Sequence, residues 1–222
     1  MTDPGRVLRL DPSAHPDGLR VLAIGAHADD IEIGCGGTLL RLAEEGMLAS
    51  VRWIVLSAAG EREAEARAGC REFLDGVADV ELLLGGFRDG YFPYLGGAVK
   101  DFFEAHKGTY TPDLILTHCR EDLHQDHRLV GELTWNTYRH ELILEYEVAK
   151  YEGDLTTPNL YVQLSRAQAE RKIQLITSTF GSQRARHWFD AEAFHALLRL
   201  RGLESGGDSQ FAEGFSARKI VI

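Results

Sequence analysis

Two short stretches hold the side chains whose types and spacing could do chemistry. The first, "AHADD", places His27, Asp29 and Asp30 where an apolar run stops. The second, "HCREDLHQDHR" (118–128), holds His118, Glu121, Asp122, His124, Asp126 and His127. Imidazole and carboxylate in this mixture are the donors of a catalytic zinc site, where three side chains bind the ion and one position stays open for water. Zinc lowers the pKa of that water to about 7, which makes hydroxide available near neutral pH. The reaction also needs a base that is not itself a ligand. Two adjacent aspartates suit that division, because neighbouring side chains leave the backbone in different directions. His124 and His127 are three apart and share a face on a helical turn, so one can ligate while the other faces substrate. Asp126 can hold an imidazole in one tautomer. Each stretch also has a plainer explanation, since aspartates are common in loops and cap helices, and "HQDH" fits a solvated helix start. Their joint placement is what favours a metal.

The elements that would position them alternate. "LRVLAIGA" (19–26) reads as a parallel strand buried on both faces. A helix follows over 36–47, then a strand over 50–59, a helix over 61–77, a strand over 79–85 and a helix over 96–107. "PDLILTH" (112–118) is a fourth strand, and 124–148 is mostly helix. A strand over 159–165, a helix over 165–182 with Ser165 as N-cap, and a helix over 190–203 capped by Asp190 come next. "FSARKIVI" closes the chain as a strand. This order implies an α/β fold: one domain over 19–222, with a mostly parallel sheet and helices on both faces. Residues 1–18, with three prolines, read as an irregular arm. Ligands in such sheets lie beyond the C-terminal ends of the strands. Both polar stretches fall there.

At 222 residues the chain suits one α/β domain. Its net charge of −10 speaks against nucleic acid and against an anionic membrane surface. Three widely spaced cysteines, Cys35, Cys70 and Cys119, make neither a disulfide framework nor a zinc knuckle, so a reducing cytoplasm is the expectation. The N-terminus lacks the apolar core of a signal peptide, and no apolar run approaches the roughly 20 residues that span a bilayer. Apolar helix faces could support a homo-oligomer. Cys35 reads as a small packing residue, and Tyr91, Phe92 and Tyr94 as stacking or packing groups. A nucleotide-binding module would show GxGxxG after the first strand, and His and Asp stand there instead.

"AHADDIEIGCGGTL" and "HQDHR" together resemble the two metal motifs of the PIG-L/LmbE-like zinc deacetylases. "RDG" (88–90), Arg62 with Glu65, "SQR" (182–184) and "FAEGF" (211–215) resemble further features of that family, so the likeness spans nearly the whole chain. It implies a Rossmann-like (LmbE-like) α/β fold and removal of an N-acetyl group from an N-acetylglucosamine-type sugar or its conjugate. By motif position His27, Asp30 and His127 would hold Zn2+, or Fe2+, Co2+ or Mn2+ in its place. Asp29 would be the general base. His124 would polarise the carbonyl and Asp126 would orient His124. Arg62 and Asp89 would contact substrate. The chain departs from the pattern at Ala28 and Gln125, where proline is usual, and at Asp122, where some relatives carry tyrosine. Another N-acyl amide, on an antibiotic or a thiol-sugar conjugate, is the neighbouring reading.

Overall fold

The computed structural model describes residue 15 and residues 17–220, so the expected arm (1–18) lies largely outside the described residues. Strands β1 (Leu19–His27), β2 (Leu48–Ser57), β3 (Val80–Leu84), β4 (Leu114–His118), β5 (Leu142–Tyr146), β6 (Leu160–Leu164) and β7 (Phe211–Ala217) form one sheet in the order β3-β2-β1-β4-β5-β7-β6. The first five in this order are parallel, and β7 runs antiparallel to both β5 and β6. Helices α1 (Asp30–Glu44), α2 (Glu61–Phe73), α3 (Gly96–Lys107), α4 (Gln125–Thr137), α5 (Arg166–Thr179) and α6 (Ala191–Glu204) connect them. The α/β class, the mostly parallel sheet and the helices on both faces are as expected.

β1 shows why its run is unbroken by polar residues. Its side chains alternate between two cores. Val21 and Ala23 join α1, α2, α5 and α6 through Ile31, Phe73, Ile176 and Phe194. Leu22, Ile24 and Ala26 join α3 and α4 through Val99, Phe103 and Val130. The chain leaves β1 toward β2 on one side and returns through β4 on the other, so the strand order reverses between β1 and β4. That switch point opens a crevice beyond the carboxyl ends of the two strands.

Three expectations need correction. The first helix starts at Asp30, six residues before the expected 36, so the "GCGG" glycines lie inside it. They allow close packing: a Cβ on Gly34 would stand 2.1 Å from the Tyr146 ring, and one on Gly36 2.4 Å from Phe73. The expected helix over 124–148 ends at Thr137, and β5 occupies Leu142–Tyr146. The closing strand is Phe211–Ala217 and ends before "RKIVI". Ser165 does cap α5, in a reciprocal box with Gln168. The Asp190 carboxylate accepts from Glu192 N–H at the start of α6.

A buried ion pair fastens the antiparallel end to α1. Glu213 of β7 accepts from Gly37 N–H at 2.8 Å, Thr38 N–H at 2.7 Å and Thr38 Oγ1 at 2.6 Å. Lys172 of α5 donates to Glu213 at 2.6 Å and to the Ile33 carbonyl at 2.6 Å. Among the described residues no helix is long and apolar enough to cross a membrane.

Candidate metal centre

β1 ends at His27 and β4 at His118, side by side across the crevice. Between β1 and α1 the chain turns through Asp29 at φ 101°, the one positive φ outside glycine among the described residues. Aspartate tolerates this region better than most residues, at a cost of order 1–3 kcal/mol. The turn sends Asp29 and Asp30 to different sides, and both are buried, at 4% and 3% exposure. Asp30 folds back over the strand end, where its Oδ2 accepts from His27 N–H at 2.7 Å. On the other side α4 opens immediately after His124, so its first turn carries His124 and His127 with ring centroids 4.4 Å apart.

Three donor groups converge. His27 Nδ1 and His127 Nε2 are 3.2 Å apart. The Asp30 carboxylate lies 3.4 Å from each, through Oδ2 to His27 and Oδ1 to His127. Tetrahedral zinc with bonds of roughly 2.0–2.1 Å sets neighbouring donors about 3.4 Å apart. The residues present therefore fit a divalent ion. Three overlapping groups of donors lie within 4.8 Å of one another: His27 with His124 and His127, Asp30 with His118 and His127, and His27 with Asp89 and Asp126. Within the second group His118 is the poorer ligand. Its Nε2 lies 3.0 Å from Ala26 N–H, so the lone pair a metal would need receives a backbone hydrogen bond.

The surroundings hold these groups in place. His127 Nδ1 meets Asp122 Oδ2 at 3.0 Å, the carboxylate–imidazole contact that fixes a ligand's tautomer and raises its basicity. Asp122 Oδ1 accepts from His124 N–H at 2.8 Å. Asp126 accepts from Gly90 N–H at 2.7 Å and Phe92 N–H at 3.1 Å, and its Oδ2 is 3.2 Å from His27 Nε2. It thus ties the 88–92 loop to α4 and steadies His27, where the sequence pointed it at His124. Asp89 reaches His27 Nε2 at 3.1 Å with its side chain 76% exposed. Arg62 pairs with Asp29 Oδ1 at 2.8 Å and also donates to the Ala28 carbonyl. It is held in turn by Glu65 at 2.9 Å and Ser182 Oγ at 3.3 Å. Among the described residues, the buried Asp29 Oδ2 accepts no hydrogen bond, and the buried His124 Nδ1 likewise has no partner.

Electrostatics separate the two aspartates. Burial pushes the Asp29 carboxyl up to about 7, against the pull of the Arg62 guanidinium. Burial also works against the Asp30 charge, but His127 and His118 outweigh it and hold Asp30 well below the usual range. Burial opposes charge on His27 too, yet Asp126, Asp30 and Asp89 raise its pKa well above normal. A cation is favoured where that proton sits, and a divalent ion would compete with it. His124 is lowered by burial and by His127 and His27, so it favours the neutral imidazole.

All eight residues singled out from the sequence lie in or beside this crevice. Two that carry weight were not assigned a role there. Asp122 sits five residues before its partner, outside any helical spacing, and Lys150, whose Nζ lies 3.0 Å from Asp122 Oδ2, belongs to a loop whose approach only the fold reveals.

The family model described as GlcNAc-PI de-N-acetylase (PIG-L) matches residues 22–138, more than half of the chain and spanning both polar stretches. The chain belongs to the PIG-L family. An Escherichia coli K12 protein named uncharacterized deacetylase YaiS is 67% identical to it over 27 residues, which make up 12% of this chain and 15% of YaiS. Among solved structures, the conserved protein TT1542 of Thermus thermophilus superposes with a TM-score of 0.73 at 23% identity, over 92% of this chain and 96% of that one. N,N'-diacetylchitobiose deacetylase from Pyrococcus horikoshii gives 0.65 at 18% identity, over 91% and 85%. GalB, a 4-carboxy-2-hydroxymuconate hydratase from Pseudomonas putida, gives 0.72 at 14%, over 92% and 98%. These likenesses establish the fold. A deacetylase and a hydratase share it, so the reaction must be argued from the site. PIG-L membership supports a deacetylase.

Proposed function

We propose that the chain is a metal-dependent hydrolase that removes an N-acetyl group from an N-acetylglucosamine-type sugar or its conjugate. The observation that carries this reading is the convergence of His27 Nδ1, His127 Nε2 and the Asp30 carboxylate beside an Asp29 whose Oδ2 accepts no bond. His27, Asp30 and His127 would hold the ion, with zinc first and Fe2+, Co2+ or Mn2+ suited to the same donors. When bound, the ion supplies Lewis-acid polarisation of the acetyl carbonyl and makes water more acidic. Asp29 Oδ2 takes a proton from the attacking water, and a pKa near 7 suits that task. Arg62 holds Asp29 Oδ1 and leaves Oδ2 to take that proton. His124 stands beside His27 and His127, where its ring N–H stabilises the carbonyl oxygen as charge develops, and the proton that Asp29 took passes to the departing amine. Asp122 and Asp126 hold the imidazoles of His127 and His27. Asp89, largely exposed beside His27, is placed to meet substrate hydroxyls.

A second reading keeps the reaction and changes what bears the amide. Tyr91, Tyr94, Leu95 and Leu123 are exposed on the loops that flank the crevice, and they suit an apolar part of a larger conjugate. Three buried free thiols fit a reducing, aqueous compartment such as the cytoplasm. The test is metal analysis of the purified protein together with acetate release from a panel of N-acetylglucosamine conjugates. Metal at one ion per chain and acetate from at least one conjugate are expected. A metal-free wild-type protein that releases no acetate after zinc is supplied overturns the reading.

A further inference from the structure

We infer that Lys150 is a positioning residue for His127, acting through Asp122, and that it couples ion affinity to the loop between β5 and β6. The inference rests on the reading that His127 holds an ion. Lys150 Nζ lies 3.0 Å from Asp122 Oδ2, the same oxygen that meets His127 Nδ1 at 3.0 Å. The three side chains form one buried line, with exposures of 8% for Lys150, 3% for Asp122 and 4% for His127. Lys150 also donates to both oxygens of Asp154, at 2.8 and 2.7 Å, and Asp154 Oδ2 accepts from Leu123 N–H at 2.7 Å. One ammonium therefore holds two buried carboxylates. It joins the loop of residues 147–159 to the segment that leads into His124.

A buried carboxylate keeps a fixed position and a full charge only when it is paired. Asp122 is shared among the His127 ring, the His124 backbone and Lys150, and Lys150 is its cationic partner. Without that ammonium, Asp122 and Asp154 stand close together with like charge, and Asp122 has reason to turn away from His127. The two ends of the loop are anchored separately, on Arg201 of α6. Arg201 grips Glu147 at 2.6 and 2.7 Å and the Thr156 carbonyl at 3.1 Å. Lys150 is thus the loop's link to Asp122 itself, beside the Leu123–Asp154 hydrogen bond, and not its general fastening. Because coupling between two sites is reciprocal, an ion that orders His127 orders the Lys150 end of the loop as well.

The experiment titrates zinc alone against a chromophoric chelator for the wild-type chain and for Lys150→Met, Lys150→Arg and Asp154→Asn. Lys150→Met is expected to bind zinc about ten-fold more weakly, the lower end of the range for residues that hold a ligand directly, because Lys150 acts one step further out. Lys150→Arg restores most of the loss, because a cation again faces Asp122. Asp154→Asn stays close to wild type, because it leaves the Lys150–Asp122 contact intact. In the wild-type chain, zinc slows amide exchange across residues 149–156 and leaves α3 unchanged. A folded Lys150→Met that binds zinc as the wild type does overturns the inference and leaves the proposed function standing. So does an Asp154→Asn that falls as far as Lys150→Met, since loop packing would then account for both. Unchanged exchange across 149–156 overturns the coupling to the loop without any variant. A wild-type chain that binds no zinc overturns this inference and the proposed function together.

Discussion

Asp29 sits at φ 101° while Asp30 opens α1, and the turn between them sets one carboxyl near pKa 7 and the other well below its usual range. Their type, their adjacency and their place after a strand were legible in the sequence. The torsion and the Arg62 pairing were not, because both depend on where α2 packs. Asp29→Asn should lower turnover by about 10²–10⁴-fold while zinc content by metal analysis stays at the wild-type level. His127→Ala and His27→Ala should each lose the metal itself. Asp29→Gly separates fold from chemistry in another way. Glycine suits a positive φ, so the metal-free variant should unfold at or above the wild-type temperature in calorimetry while turnover is lost. Arg62 was expected to touch substrate, and the structure places it on Asp29. Arg62→Gln should therefore lower kcat and leave KM close to wild type in steady-state kinetics. The opposite split would return Arg62 to the substrate.

Helix α1 shows how an element serves a site by what it lacks. Gly34 and Gly36 let Tyr146 and Phe73 press against its backbone, and this draws the Asp30 end of α1 onto the sheet. Gly34→Ala should cost about 1–3 kcal/mol by overpacking, read from the denaturant midpoint. Glu213→Gln leaves Lys172 buried without its counter-charge and should cost about 3–5 kcal/mol by the same measurement. The strands around the switch point were legible because a strand buried on both faces is an unbroken apolar run. β5 was not, although it is built the same way. "ELILEY" follows a helical stretch without a glycine or proline between them, and a short apolar run cannot be told from buried helix by periodicity. The start of α1 was hidden for a related reason, since its first turn, Asp30-Ile31-Glu32-Ile33, alternates acidic and apolar residues as a strand does, and three glycines follow before any helical stripe.

Across the whole molecule, Cys35, Cys70 and Cys119 are buried as free thiols. Burial, first of all, pushes Cys70 and Cys119 up to about 12 and raises Cys35 well above its usual value. The folded chain holds these protons more tightly than the unfolded one. Their contribution to stability is thus full below the ordinary thiol pKa of 9.0 and is lost as pH rises through about 12. At pH 8, iodoacetamide should label the thiols only after denaturant is added, as read by mass spectrometry. The sheet order carries a different consequence, one of timing. β7 lies between β5 and β6, so β6 has no neighbour in the sheet until Phe211–Ala217 exists. A nascent chain that has reached residue 210 already contains every ligand of the candidate centre. It still lacks Glu213, the carboxylate that takes the α1 amides of Gly37 and Thr38 and the Lys172 ammonium. The side chains that would hold the ion are made early, and the strand that locks their helix in place is made last.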